Sequence, residues 1–372
     1  MARPRLARTC NSAEVASEMS VVRFALIGCS KIAWKHATSL LRIKEAKLVA
    51  VCDLNTTRAQ VLGAECKVPA YTDYERMMEQ EQVDVVNVLT PTGDHAARML
   101  DLIRYGKHIV VEKPMALRLD DADAVINACD EAGIKLFVVQ QNRYNRPIQA
   151  VRQAAQAGRF GKLVLGTVRV RWCRNQAYYD EAPWRGTWAW DGGVLTNQAS
   201  HHIDILQWLM GPAETVSAMT ATRLANIETE DTGVAILRFR SGALGVIEAT
   251  TATRPTDLEG SLSILGEGGS VVIGGFAMDR LLAWQFAEPR PGDDRIFETH
   301  GENPKQPAWN HEEYLRAVVD TINRGNKALV DGLEARKSLE LITAIYESAE
   351  IGQEVPLRFR PSRCRLGIRD DD

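Results

Sequence analysis

From Val21 to about Asn142, short apolar runs alternate with longer amphipathic stretches. Strands are predicted at Val22 to Ile27, Leu48 to Cys52, Val83 to Leu89, His108 to Val111 and Leu136 to Val139. Helices are predicted at Ile32 to Leu41, Thr57 to Cys66, Asp94 to Tyr105 and Leu119 to Ala132. The strands are continuous apolar runs, as strands buried on both faces are. Strand and helix alternating at this pitch build right-handed βαβ units, and so a doubly wound parallel sheet.

The period changes beyond Pro147. Lys162 to Trp172, Val234 to Phe239, Ala243 to Thr250 and Ser261 to Leu265 partly alternate apolar and polar residues, the pattern of half-exposed strands. A helix is expected from about Leu195 to Leu209, and two more near Glu312 to Asn323 and Leu333 to Gly352. The second half is therefore an α+β domain on a largely antiparallel open sheet, whose free face should meet a ligand or a second copy of the chain. The resulting division is a leader over 1–20, a first domain over 21–142, a second over 143–360 and a flexible tail over 361–372. Met19 directly precedes the first strand, which makes it an alternative start.

Composition narrows the picture only a little. A chain of 372 residues exceeds what one core usually supports. A net charge of -3 with no basic block argues against a nucleic-acid partner. The seven cysteines are scattered and never spaced Cys-x-x-Cys, so reduced thiols in a cytoplasm, with neither a disulfide framework nor a metal site, are expected. No run is long enough to span a membrane.

The chemistry gathers at the strand ends. Ile109-Val110-Val111 ends abruptly in Glu112-Lys113-Pro114, placing an amine at the C-terminal edge of a parallel sheet, where ligands of open α/β sheets bind. Gly28-Cys29-Ser30-Lys31-Ile32-Ala33 follows the first strand and opens the first helix, the context of a dinucleotide fingerprint of Rossmann type. The second glycine is replaced by Ser30 and the third by Ala33. Asp53 ends the second strand, where a carboxylate accepts from ribose hydroxyls and repels a 2′-phosphate, so NAD is expected over NADP. Thr90, Thr92 and His95 follow another strand, and the polar run Gln140 to Asn145, with Gln141 and Asn142, follows the last, all on the same edge. His95 read alone is a helix-start residue.

In the second half, Arg171, Arg174, Tyr178, Tyr179 and Arg185 stand among tryptophans. Aromatic residues often simply pack. They also offer flat faces for rings, with guanidinium forks for carboxylate or phosphate. After Gly192-Gly193, Asn197 and His201 lie four apart and would share a helix face.

Together Gly-Cys-x-x-Ile-Ala at Gly28, Glu112-Lys113-Pro114 and the stretch Gly192 to Asp204 resemble the glucose-fructose oxidoreductase, inositol dehydrogenase and rhizopine-catabolism (Gfo/Idh/MocA) superfamily, from about Val21 to Leu357. Gln141 to Asn145, Tyr178-Tyr179-Asp180, Trp184 to Trp188 and Asn197 to His201 are similar to its bacterial members that oxidise C3 of UDP-N-acetylglucosaminuronic acid in O-antigen synthesis. The resemblance implies NAD as cofactor, a UDP-sugar as substrate, and Lys113 and His201 as catalytic, with either able to be the base. Inositol dehydrogenases carry Asp where this chain has Asn197, which puts a simple Asp-supported histidine in question. A dehydrogenase of a free sugar or polyol, an NAD-dependent glycosidase and a non-catalytic dinucleotide sensor remain open alternatives. A 2-oxo acid as reoxidant is compatible with the same resemblance, and a sheet face with aromatic residues suggests a homodimer or homotetramer.

Overall fold

A computed structural model describes residues 20–357 and 364–368. The leader over 1–19 and the remainder of the tail lie outside the described residues.

The first sheet is parallel and built from β1 (Val22–Ile27), β2 (Ala46–Cys52), β3 (Ala70–Tyr71), β4 (Val85–Val88), β5 (His108–Val111) and β6 (Leu136–Val138), in the order β3-β2-β1-β4-β5-β6. The order reverses between β1 and β4, so the crevice at their C-terminal ends is the topological switch point. Its strands bury both faces: β4 and β6 are buried at every position. Helices Lys31–Leu40, Thr56–Cys66, Tyr74–Gln80, His95–Ile103 and Leu119–Glu131 supply the covering layers.

The second sheet comprises β7 (Leu163–Arg171), β8 (Ala213–Ala221), β9 (Thr232–Phe239), β10 (Leu244–Thr250), β11 (Glu259–Gly266), β12 (Gly269–Gly274), β13 (Arg280–Phe286) and β14 (Val355–Pro356). Its order is β13-β12-β11-β7-β10-β9-β8-β14, antiparallel throughout except where β7 runs parallel to β10. Alternate residues of β9 are buried, and the helices Ser200–Met210 and Gly332–Ile351 cover that face. The opposite face is open and exposes Met219, Val234, Ile236 and Leu244.

Three expectations need correction. The helix predicted from Leu195 starts at Ser200, and Val194 to Gln198 form turns closed by bonds such as Asn197 N–H to Gly193 O, 3.0 Å. The late helices do not belong to the second half alone. Tyr314, Leu315, Val318 and Val319 of Trp309–Arg324 complete the first sheet's core, and so do Ala335 and Leu339. Within the expected tail, Leu366 is 2% exposed and packs in the second core, while Gly367 donates its N–H to Trp188 O at 3.0 Å. An apolar residue with a core slot within reach docks whatever the polarity of its neighbours.

The sheets are tied at the turn Gln141–Tyr144. Arg143, 2% exposed, donates twice to Asp204 at 2.7 Å and once to Glu334 at 3.0 Å, and Ser338 Oγ donates to Asp204 at 2.5 Å. Removing one partner strands the other charge in the interior. Asp204→Ala is therefore expected to lower the unfolding free energy by about 3–5 kcal/mol, read from denaturant titration.

Candidate active site

The dinucleotide edge forms because β1 ends in a residue that only glycine can be. Gly28 has φ +99°, and a Cβ there would stand 2.5 Å from Leu89 O. Ser30 precedes the helix Lys31–Leu40 without capping it through its side chain; Ala33 N–H turns back onto Ser30 O at 3.0 Å, which leaves the N–H groups of Lys31 and Ile32 to meet an anion. Asp53 supports this turn: Oδ2 accepts from Cys29 N–H and Oδ1 from Asn55 N–H, both at 2.7 Å. Its carboxylate is held at the end of β2 facing the glycine turn, where a ribose belongs, so the residues present fit NAD. Lys31 and Ile32 open the helix, and Lys31 Nζ reaches across to Glu181 of the second domain at 2.9 Å. Thr90 and Thr92 lie beyond β4, and Thr90 Oγ1 is buried with no partner. His95 does not face a ligand. Its ring nitrogens meet Pro114 O at 2.8 Å and Thr90 O at 2.9 Å, so it braces two edge loops.

Glu112 and Lys113 point to opposite environments. Glu112 Oε1 is 3.0 Å from His36 Nε2, and Asn87 Nδ2 is 2.9 Å from His36 Nδ1. Burial alone would raise the Glu112 pKa, but the hydrogen bond and charge of His36 outweigh it and hold the carboxyl down at about 2. With His311 these residues form a His/Glu/His group whose donor atoms lie within 4.8 Å of one another, and a hydrogen bond already occupies two of them. Glu112 thus anchors the turn from beneath, with Oε1 on His36 and Oε2 accepting from Lys113 N–H at 3.2 Å. Lys113 Nζ crosses to the second domain and donates to the backbone carbonyl of Asn197 at 2.6 Å. Burial lowers the Lys113 pKa, while Glu112 and Asp191 work in the opposite direction.

His201, on the first turn of Ser200–Met210, joins this group. Its Nδ1 is 2.9 Å from Gln140 Oε1 and its Nε2 is 3.1 Å from Gln141 Nε2. An amide oxygen can only accept and an amide NH₂ only donate, so the proton sits on Nδ1 and the lone pair on Nε2. Burial, with the Lys113 charge next, pushes the His201 pKa well below its ordinary value and keeps the ring neutral. Asn142 turns away, accepting from Asn310 at 3.3 Å. His202 is wholly buried, edge-on to Trp172, with neither ring nitrogen hydrogen-bonded.

Two family profiles match this chain: an oxidoreductase family with an NAD-binding Rossmann fold over residues 22–140, and a GFO/IDH/MocA C-terminal domain over 148–272. The chain belongs to the Gfo/Idh/MocA family. It is an NAD-dependent sugar dehydrogenase of that family. The WlbA dehydrogenase of Bordetella pertussis, solved with NADH and UDP-GlcNAcA, is 44% identical with a TM-score of 0.88, covering 91% of this chain and 98% of that one. WlbA of Chromobacterium violaceum, solved with the same two molecules, is 40% identical with a TM-score of 0.87, covering 92% and 98%. D-apiose dehydrogenase of Paraburkholderia graminis is 28% identical over 92% of each chain.

The substrate side of this Gfo/Idh/MocA chain divides. Arg185 sits over the Tyr178 ring at 4.1 Å, donates to Tyr178 O at 2.6 Å, and keeps a buried Nε without a partner. Gln198 links Tyr178 Oη back to the His201 segment at 3.4 Å. Arg174 lies against Trp172, Tyr178 and Phe276 and bonds Asp257 at 3.0 Å. Tyr179 is a core residue whose hydroxyl meets Thr251 Oγ1 at 2.9 Å. Arg171 does not join the group. Val168 and Val170 of β7 face the helices, so Arg171 projects onto the open face, bound to Glu248 at 2.6 Å and Glu259 at 3.1 Å.

Asp191 escapes a reading of the letters, and Gln140 is read there only as part of the polar run at the end of the last strand. Gln140 holds the His201 proton, and Asp191 accepts from the Asn197 side chain. Their signals are slight: a second glutamine at the strand end, and an acid directly before a pair of glycines. Asp53→Ala is expected to weaken NAD binding and let NADP compete, measured as the ratio of kcat/KM for the two cofactors; an unchanged ratio would remove Asp53 from the selectivity.

Proposed function

We propose that the chain oxidises the C3 hydroxyl of UDP-N-acetylglucosaminuronic acid to the 3-keto sugar nucleotide with NAD. The observation that carries this reading is the whole-chain likeness, at 44% and 40% identity, to two dehydrogenases whose structures hold both NADH and UDP-GlcNAcA. The likeness to D-apiose dehydrogenase, at 28% over the same extent, supports a free sugar as the second reading.

NAD, when bound, takes up the hydrogen and electron pair that leave C3. The chain's own residues manage the proton and the orientation. Lys113 comes from the first domain and His201 from the second, and Lys113 holds the carbonyl of Asn197, four residues before the histidine. A base must be uncharged at working pH to accept the hydroxyl proton. Burial moves both groups that way: it lowers the Lys113 pKa and leaves His201 neutral. In this reading Lys113 takes the proton and, as the ammonium so formed, hydrogen-bonds the developing alkoxide, while the His201 Nε2 lone pair, once Gln141 yields its place, accepts from a neighbouring sugar hydroxyl. In this reading Arg174, Tyr178 and Arg185 receive the anionic end of the sugar nucleotide, for which guanidinium forks and a flat ring are suited. Tyr178 approaches through Gln198, and Arg185 brings a free buried donor. The exposed apolar residues of the open sheet face fit pairing between copies.

A substrate panel separates the readings. Production of NADH with UDP-N-acetylglucosaminuronic acid, and none with the free uronic acid, inositol or apiose, is the expected result; turnover of a free sugar alone reverses the assignment. A base is active once deprotonated, so kcat is expected to rise with pH through a limb below the ordinary lysine value of 10.5. Lys113→Met should lose that limb and reduce kcat by about 10²-fold or more while still binding NADH.

A further inference from the structure

An asparagine side chain has two chemically opposite ends, and only one can face a substrate. Asp191 is 2% exposed and lies in the loop that enters Gly192-Gly193. One carboxylate oxygen, Oδ2, accepts from Gly186 N–H at 2.9 Å; the other, Oδ1, accepts from Asn197 Nδ2. A carboxylate has no proton to donate, so the amide nitrogen must turn toward it. Asn197 Oδ1 then points away, and it is not among the buried atoms left without a partner. The backbone carbonyl of the same residue already holds Lys113 Nζ at 2.6 Å.

We propose that Asp191 is a positioning residue: by binding the Asn197 amide nitrogen it fixes the side-chain oxygen toward the substrate, so the site offers a neutral hydrogen-bond acceptor beside Lys113. This rests on the reading that Asn197 lines the sugar site. It assigns the substrate a hydrogen donor, a hydroxyl or an amide N–H, next to the reacting carbon. It also explains how the chain works with asparagine here. The negative charge sits one residue further back, where it acts on Lys113 from a distance and never competes for the hydroxyl proton. Lys113 and Arg185 face Asp191 as cations, and Glu230, Tyr178 and Tyr179 are its other titratable neighbours.

The donor arithmetic supplies the test. In Asp191→Asn the new side chain keeps its oxygen on Gly186 N–H and turns its NH₂ to Asn197, which must flip and show its own NH₂ to the substrate. The double exchange D191N/N197D restores an acceptor, since the carboxylate then at position 197 takes the amide NH₂ at position 191 with one oxygen and offers the other. D191N is expected to lose about tenfold to a hundredfold in kcat/KM for the sugar nucleotide at unchanged NADH affinity, and the double exchange to regain most of it. A D191N enzyme as active as wild type, or a double exchange no better than D191N, overturns the proposal. If the wild type fails to turn over the sugar nucleotide, the functional reading falls, and the amide orientation is decided separately. With nitrogen-labelled asparagine, and the Asn197 signal assigned by its loss in Asn197→Asp, the side-chain NH₂ should exchange slowly with water in wild type and rapidly in D191N; equal rates refute the inference.

Discussion

One bond spans the molecule's two halves at the point where they face each other: the Lys113 ammonium, set at the end of β5, donates to the carbonyl of Asn197 at 2.6 Å. That bond needs a lysine aimed by the turn it stands in and a carbonyl left free by the turns before Ser200. The turn is set by Pro114, by His95 bracing Pro114 O, and by Glu112 held on His36. The carbonyl is free because the helix starts at Ser200 rather than earlier, although Ser200 Oγ shares it at 3.1 Å. Had the helix begun where the apolar pattern suggests, this carbonyl would have been consumed by an intrahelical bond.

Most of the surrounding charged and polar groups are buried in pairs and chains rather than singly, which offsets the cost of burying them, while Thr90 Oγ1 and the His202 ring nitrogens stand as exceptions. Arg143 with Asp204 ties the turn Gln141–Tyr144 to the helix Ser200–Met210, Glu112 with His36 closes the floor, and Glu230 with Tyr346 and Leu195 N–H supports the glycine turn. Such networks add specificity of geometry more dependably than net stability. Here that geometry is what brings side chains from two domains to one spot.

The predicted strands and helices of the first half lie within two residues of those observed, while the short helix Tyr74–Gln80 is not read from the pattern. Val22–Ile27 and His108–Val111 match their predicted spans because strands buried on both faces leave uninterrupted apolar runs. The edge strand Ala70–Tyr71 is too short to leave a pattern, and Ala213–Ala221 carries a burial order that departs from strict alternation. The same alternation could have placed Arg171: with Val168 and Val170 inward, positions 169 and 171 must face away. Lys113, Asn197 and His201 converge as their motifs suggest, whereas Asp191 and Gln140 carry no motif. They matter through which end of a neighbour they bind, and that information exists only in three dimensions.

The loop that bears Arg185 and Asp191 is fastened to the dinucleotide side at two places: Glu181 holds Lys31 at 2.9 Å, and Trp190 O takes the Gly93 N–H at 2.9 Å. No side chain fits at Gly93, where a Cβ would stand 2.6 Å from Ala189 O. Arg185 and Asp191 thus ride on a bridge whose footings are the glycine turn's helix and the segment after β4. Thermodynamic linkage makes such an arrangement reciprocal: whatever factor a seated dinucleotide adds to the grip on the sugar, the sugar returns to the dinucleotide.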